Sequence, residues 1–133
     1  MARTPSSHPT DGELELLQIL WQAGPASLGR ICAALRGRRP IATTTVATML
    51  TVMLDKGLLR RRRGPRGYLW SAKTTRQSAA NGVIRKLVDL VFDGSAQRLV
   101  AHLLQSGQLS EQEQRELQRL MEAERKKHEG TPL

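Results

Sequence analysis

The apolar period of this chain changes at Gly57. Upstream of it hydrophobic residues recur at helical spacing. Beyond it, Leu59 to Arg63 and Tyr68 to Ala72 read as two short extended runs around Gly64-Pro65-Arg66-Gly67. Glycine and proline clustered between two such runs predict a β-hairpin. Upstream, Thr10-Asp11-Gly12-Glu13 has the Ser/Thr-x-x-Glu spacing of a capping box and starts a helix that Gly24-Pro25 ends. That helix carries Leu14, Leu17, Leu20 and Trp21 on one stripe. Ser27 caps a second helix through Leu35, burying Leu28, Ile31 and Cys32. A basic turn from Gly37 to Pro40 leads to a third helix, about Ala42 to Lys56, with Gly57 as its C-cap.

Three helices followed by a hairpin is the order of a winged helix-turn-helix. Lys73 to Gln77 then links to a fourth helix, Ser78 to Phe92. Asp93-Gly94 breaks it, Ser95 to Ser106 forms a fifth, and Ser110 with Glu113 repeats the capping-box spacing to open a sixth helix to about His128. The expected fold class is mainly α with a small β-hairpin. Its expected parts are a disordered tail at 1–9, a winged-helix DNA-binding domain at 10–73, a helical dimerisation region at 74–129 and a tail at 130–133.

The 133 residues carry a formal charge of +9, and its distribution is uneven. From Ser27 to Lys86 there are fourteen Lys and Arg against one acid, Asp55; from Leu87 onward there are six against eight. A basic segment beside a near-neutral helical one predicts a nucleic-acid-binding module joined to an assembly module. Enzyme chemistry finds little support. Cys32 is the only cysteine, and it falls on a core-facing position as a buried structural thiol. His8, His102 and His128 are too scattered for a metal site, and no cofactor motif is present. No apolar run approaches the ~20 residues that span a bilayer, and no signal-peptide segment opens the chain, so a cytoplasmic protein without membrane insertion is expected.

On the third helix, at ~100° per residue, Val46, Met49, Leu50, Met53 and Gly57 gather on one side. Thr44, Thr48, Thr51, Val52 and Asp55 fall opposite. Threonine is a poorer helix former than the Glu, Lys or Gln that usually covers a solvated face. Short hydroxyls suit close approach to DNA, their oxygens bonding phosphates or base edges and their methyls packing on thymine. The candidate DNA-binding residues are therefore Thr43, Thr44, Thr45, Ala47, Thr48, Thr51 and Val52 on this helix. Arg38 and Arg39 flank its entry, and Arg60, Arg62, Arg63 and Arg66 lie in the hairpin. If ~6 arginines touch phosphates, log affinity falls with log salt at a slope of about −5. Tyr68 and Trp70, two apart on one strand, are expected to pack the hairpin onto the helices. The competing reading is a non-specific or architectural nucleic-acid binder in which the arginines dominate and the threonines specify nothing.

Beyond the hairpin, Leu87, Leu90 and Val91, then Leu99, Val100, Leu103 and Leu104, then Leu117, Leu120 and Met121 form apolar stripes. They are too few to enclose a core alone, so they are candidate dimerisation residues. A two-fold dimer of winged helices predicts an inverted-repeat site with half-sites ~34 Å apart.

Thr44-Thr45-Val46-Ala47-Thr48-Met49-Leu50-Thr51 and Leu54-Asp55-Lys56-Gly57-Leu58-Leu59 resemble the recognition-helix pattern T-T-V-x-T-x-L-x-R-L-x-x-K-G-x-L of the penicillinase-repressor family, of BlaI, MecI and CopY type. Glu13 to Trp21, closing in Leu20-Trp21, is similar to the family's first helix. The resemblance covers roughly Thr10 to Glu129. It implies a homodimeric transcriptional repressor on a double-stranded inverted-repeat operator. It further implies relief by proteolysis through a membrane sensor protease system, with the cut near Ala101, His102 and Leu103. Val52-Met53 stands where the family pattern has Arg-Leu, and His102-Leu103 stands where the best-known cut sites have Asn-Phe. The single cysteine does not match the C-terminal cluster of the copper-sensing branch.

Overall fold

Thr10 opens α1 (Asp11–Ala23) with a complete capping box. The Glu13 N–H donates to Thr10 Oγ1 at 3.2 Å, and the Thr10 N–H donates to Glu13 Oε1 at 2.9 Å. Two of the helix's orphan donors are thereby satisfied. Ser27 caps α2 (Leu28–Arg36) by accepting from the Arg30 N–H. α3 spans Thr43–Asp55. The chain then turns through Gly57 at φ +80°, a conformation that suits glycine. This computed structural model describes residues 9–129, so the tail expected at 1–9, apart from Pro9, and the tail expected at 130–133 lie outside it.

β1 (Leu59–Gly64) and β2 (Gly67–Ala72) form the antiparallel hairpin, with Leu59 opposite Ala72, Arg61 opposite Trp70 and Arg63 opposite Tyr68. Pro65-Arg66 is the two-residue loop, and Gly67 at φ +113° closes it. Ala26, between α1 and α2, adds an isolated antiparallel bridge to the hairpin. The Ala26 N–H donates to the Trp70 carbonyl at 2.9 Å, and the Trp70 N–H returns the bond at 2.8 Å. Three helices and this small sheet make up the winged helix-turn-helix.

The core of that unit is aliphatic. Leu16, Leu17, Ile31, Leu35, Val46, Leu50, Met53 and Leu59 are fully buried, with Trp70 and Cys32 beside them. Burying each Leu or Ile contributes about 1.5–3 kcal/mol. The expected α1 stripe of Leu14, Leu17, Leu20 and Trp21 needs correction. Leu16 and Ile19 are buried, whereas Leu14 and Trp21 are only half-buried. α1 packs against α2 and β2 at once, so its apolar arc is wider than one stripe. Similarly Leu28 and Met49 are half-buried while Leu35 takes the interior position. Gly57 lies past the end of α3 and is exposed, so it is not part of that helix's core face.

α4 (Arg76–Val91), α5 (Ala96–Gln105) and α6 (Glu111–Glu129) follow. The chain divides into two compact units, Met1–Ile84 and Arg85–Leu133. The division falls within α4, since Ala79 is buried and lines a groove with Leu14 and Trp21 of α1. Trp21 Nε1–H also donates to the Thr74 carbonyl at 2.9 Å, and the Arg76 guanidinium lies 5.4 Å from the Trp21 ring. In the second unit Ser95 caps α5, Ser110 and Glu113 exchange reciprocal bonds at the start of α6, and the Phe92 and His102 rings sit 5.6 Å apart. No described helix is long and apolar enough to cross a membrane.

Candidate nucleic-acid interface

α3 presents the threonine face that the sequence predicts. Thr43, Thr44, Thr45, Thr48, Thr51 and Val52 are exposed, Ala47 is half-buried, and Val46, Leu50 and Met53 are buried on the opposite side. Two hydroxyls are already oriented. Thr48 Oγ1–H donates to the Thr44 carbonyl at 2.9 Å, and Thr51 Oγ1–H donates to the Ala47 carbonyl at 3.1 Å. This back-bonding uses the hydroxyl proton. What each side chain has left for a ligand is an acceptor oxygen and a methyl group. Thr43 Oγ1 accepts from the Arg36 guanidinium, which also donates to the Ile41 carbonyl at 3.3 Å. Arg36, which pattern reading passed over, thus braces the entry to α3.

A buried ion pair holds α3 in place from its other end. Lys56 Nζ lies 2.8 Å from Glu13 Oε1, and Glu13 is only 5% exposed. Burial on its own would raise the Glu13 pKa. The Lys56 ammonium and the Thr10 N–H outweigh it and hold the carboxyl below its ordinary range. Sequence reading used Glu13 only as a capping residue, although its carboxylate serves both roles.

The six candidate arginines do not form one uniform track. Arg39 is bonded to Glu15 of α1 through Nε at 3.1 Å, and Arg38 Nη1 reaches Gln18 Oε1 at 3.5 Å. In the hairpin, alternation splits the basic run. Arg61 and Arg63 share a face with Tyr68 and Trp70, while Arg60 and Arg62 share the other with Leu69 and Ser71. The Arg61 guanidinium sits 4.2 Å from the Tyr68 ring centroid and 5.6 Å from Trp70; Arg63 is 5.9 Å from Tyr68. Trp70 is 7% exposed and packs into the core as expected. Tyr68 is 39% exposed, with its ring beside Arg61, Arg63 and Trp70. Tyr68 is therefore a correction: it is exposed and lies outside the core cluster that Trp70 joins. Arg60, Arg62 and Arg66 are exposed with no side-chain partner among the described residues.

In the second unit the candidate dimerisation residues are mostly open. Leu87, Leu90, Val91, Val100, Leu104, Leu120 and Met121 are exposed, Leu90 at 74% and Leu120 at 63%; Leu99, Leu103 and Leu117 are half-buried. Neither α5 nor α6 contains a buried residue. Ala101 and Leu103 are half-buried on α5, and His102 is exposed. Among the described residues no three His, Cys, Asp or Glu side chains are grouped so as to hold a metal ion.

Comparison with known proteins matches residues 9–123 to the penicillinase repressor family. The penicillinase repressor of Bacillus licheniformis is 21% identical over 113 residues, covering 85% of this chain and 88% of that one. Among solved structures, apo wild-type MarR from E. coli aligns over 86% of this chain and 76% of its own, at 20% identity and a TM-score of 0.50. Monomeric B. licheniformis BlaI in complex with the blaP half-operator aligns over 59% of this chain and 93% of its own, at 20% identity and a TM-score of 0.48. With the family match spanning both the winged helix and most of the C-terminal helices, the chain belongs to the penicillinase repressor family of DNA-binding transcriptional repressors.

Proposed function

We propose that the chain represses transcription in the cytoplasm as a homodimer bound to an inverted-repeat operator. One observation carries the DNA-reading part: a threonine-covered, solvent-facing surface on α3 flanked by exposed arginines. Thr44, Thr45, Thr48, Thr51 and Val52 read base edges and thymine methyls in the major groove, with Thr43 and Ala47 at closest backbone approach. Arg38 before α3, and Arg60, Arg62 and Arg66 of the hairpin, bind phosphates and set the register, while Arg63 lies beside the Tyr68 ring. The exposed leucines of α4, α5 and α6 support pairing with a second copy. A water-exposed Leu90 and Leu120 forgo burial energy that a partner would supply. Pairing also gives both half-sites one effective concentration. On this reading a sensor-protease cut near Ala101-His102-Leu103 on α5 relieves repression by separating the two copies.

Affinity capture of fragmented source-genome DNA by the purified protein, at ~150 mM salt, tests the reading. A few sharp peaks sharing an inverted repeat are expected. Diffuse recovery would mean that the threonine face reads nothing and that the arginines bind without sequence preference.

A further inference from the structure

Of the six candidate DNA-binding arginines, Arg39 alone has a carboxylate partner. The acid comes from outside the basic segment, from the first half of α1. Arg39 Nε lies 3.1 Å from Glu15 Oε1, and one α1 turn further on Gln18 Oε1 takes Arg38 Nη1 at 3.5 Å. The Arg39 guanidinium also reaches back toward the start of the helix, where Nη2 is 4.0 Å from the position a Cβ would occupy on Gly12. The side chain is thus laid along α1 between Gly12 and Glu15.

We propose that Glu15 is a latch that withholds Arg39 from the DNA backbone and so lowers affinity for DNA of any sequence. The proposal rests on the DNA-binding reading above. A carboxylate and a phosphate compete for the same guanidinium. An exposed pair of this kind is weak, so a phosphate held firmly in place can displace it. Non-specific complexes depend almost wholly on phosphate contacts, whereas an operator complex also has base contacts. Withholding one phosphate contact therefore weakens both alike, and on random DNA little other binding remains to offset it. Glu15 thus lowers affinity for DNA of any sequence without touching it.

The test measures binding of the full chain to a random-sequence duplex across a salt series, with Glu15→Gln, Arg39→Ala and the double variant. Unfolding transitions of each variant confirm that the fold is intact. Wild type should bind measurably. Glu15→Gln should then bind about two- to fivefold tighter, with a salt slope steeper by about 0.9 for the one cation released. In the Arg39→Ala background the same substitution should gain much less. An equal gain in both backgrounds would show Glu15 acting only through its net charge, and would overturn the latch. So would no gain at all. A loss of affinity would make Glu15 a group that aims Arg39 at the phosphate. Wild type that bound no DNA at low salt would instead sink the DNA-binding reading, and the latch with it.

Discussion

Lys56→Met removes the ammonium that faces Glu13 while keeping most of the side-chain volume. Glu13 is 5% exposed, and Lys56 Nζ lies 2.8 Å from Glu13 Oε1, leaving the Thr10 N–H as the other donor to that oxygen. The stranded carboxylate can stay charged, or it can protonate. Removing one partner of a buried pair costs about 3–5 kcal/mol. Protonation sets the ceiling on the Glu13 side: from an ordinary pKa of 4.5, neutralising it at pH 7 costs about 3.4 kcal/mol at 1.36 kcal/mol per pH unit. At pH 5 the same step costs only about 0.7 kcal/mol. In the wild type the folded Glu13 pKa is lowered, so its contribution is present above 4.5 and is lost as pH falls through the folded value. In Lys56→Met the folded pKa rises instead, so the variant's deficit should shrink on acidification. Urea unfolding followed by Trp21 and Trp70 fluorescence at pH 7 and pH 5 measures both. The expected loss is about 3 kcal/mol at pH 7 and about 1 kcal/mol at pH 5. Glu13→Gln/Lys56→Met should recover most of it, since a neutral pair leaves no buried charge. A loss independent of pH, or one below about 1 kcal/mol at pH 7, would refute the account of Glu13 as a desolvated carboxylate.

Thr48→Ala removes the acceptor oxygen and methyl left outward by its bond to Thr44. It should weaken operator binding by about 1–2 kcal/mol with little effect on random DNA, and equal losses on both would take Thr48 out of the base-reading set. Arg62→Ala should weaken both DNAs alike and flatten the salt slope by about one. Leu120→Asp, at an exposed position of α6, should shift sedimentation toward monomer while leaving winged-helix unfolding unchanged. An unaltered dimer would place the interface elsewhere.

The caps and turns of the fold were legible because short-range rules govern them. Thr10 with Glu13, Ser27, Ser95, Ser110 with Glu113, and Gly64 to Gly67 each act within a few residues. The burial of Leu16 and Ile19 was not legible, because it depends on β2 and α2 both reaching α1. Nor was the second role of Glu13. Its partner lies forty-three positions away, and only the packing of α1 on the end of α3 brings Lys56 to it.

The threonine face of α3 followed directly from helical period, since one helix's own geometry decides which residues share a side. The arginines were harder, because a block of like charges suggests one surface while a strand distributes it over two. Strand alternation already separates Arg60 and Arg62 from Arg61 and Arg63. What it cannot show is that Tyr68 occupies Arg61, with Arg63 lying near the same ring, or that Glu15 occupies Arg39. These contacts change the expected electrostatics. Of the six arginines first counted, Arg39 is paired and Arg63 shares the aromatic face, which leaves Arg38, Arg60, Arg62 and Arg66 open to phosphate. Four contacts give a slope of about −3.6 for one protomer on a half-site, against about −5 for six. The difference is the thermodynamic trace of contacts made within the protein itself. A measured slope of −5 or steeper would mean that DNA strips Arg39 from Glu15 and Arg63 from Tyr68, so that neither holds its arginine once the backbone arrives.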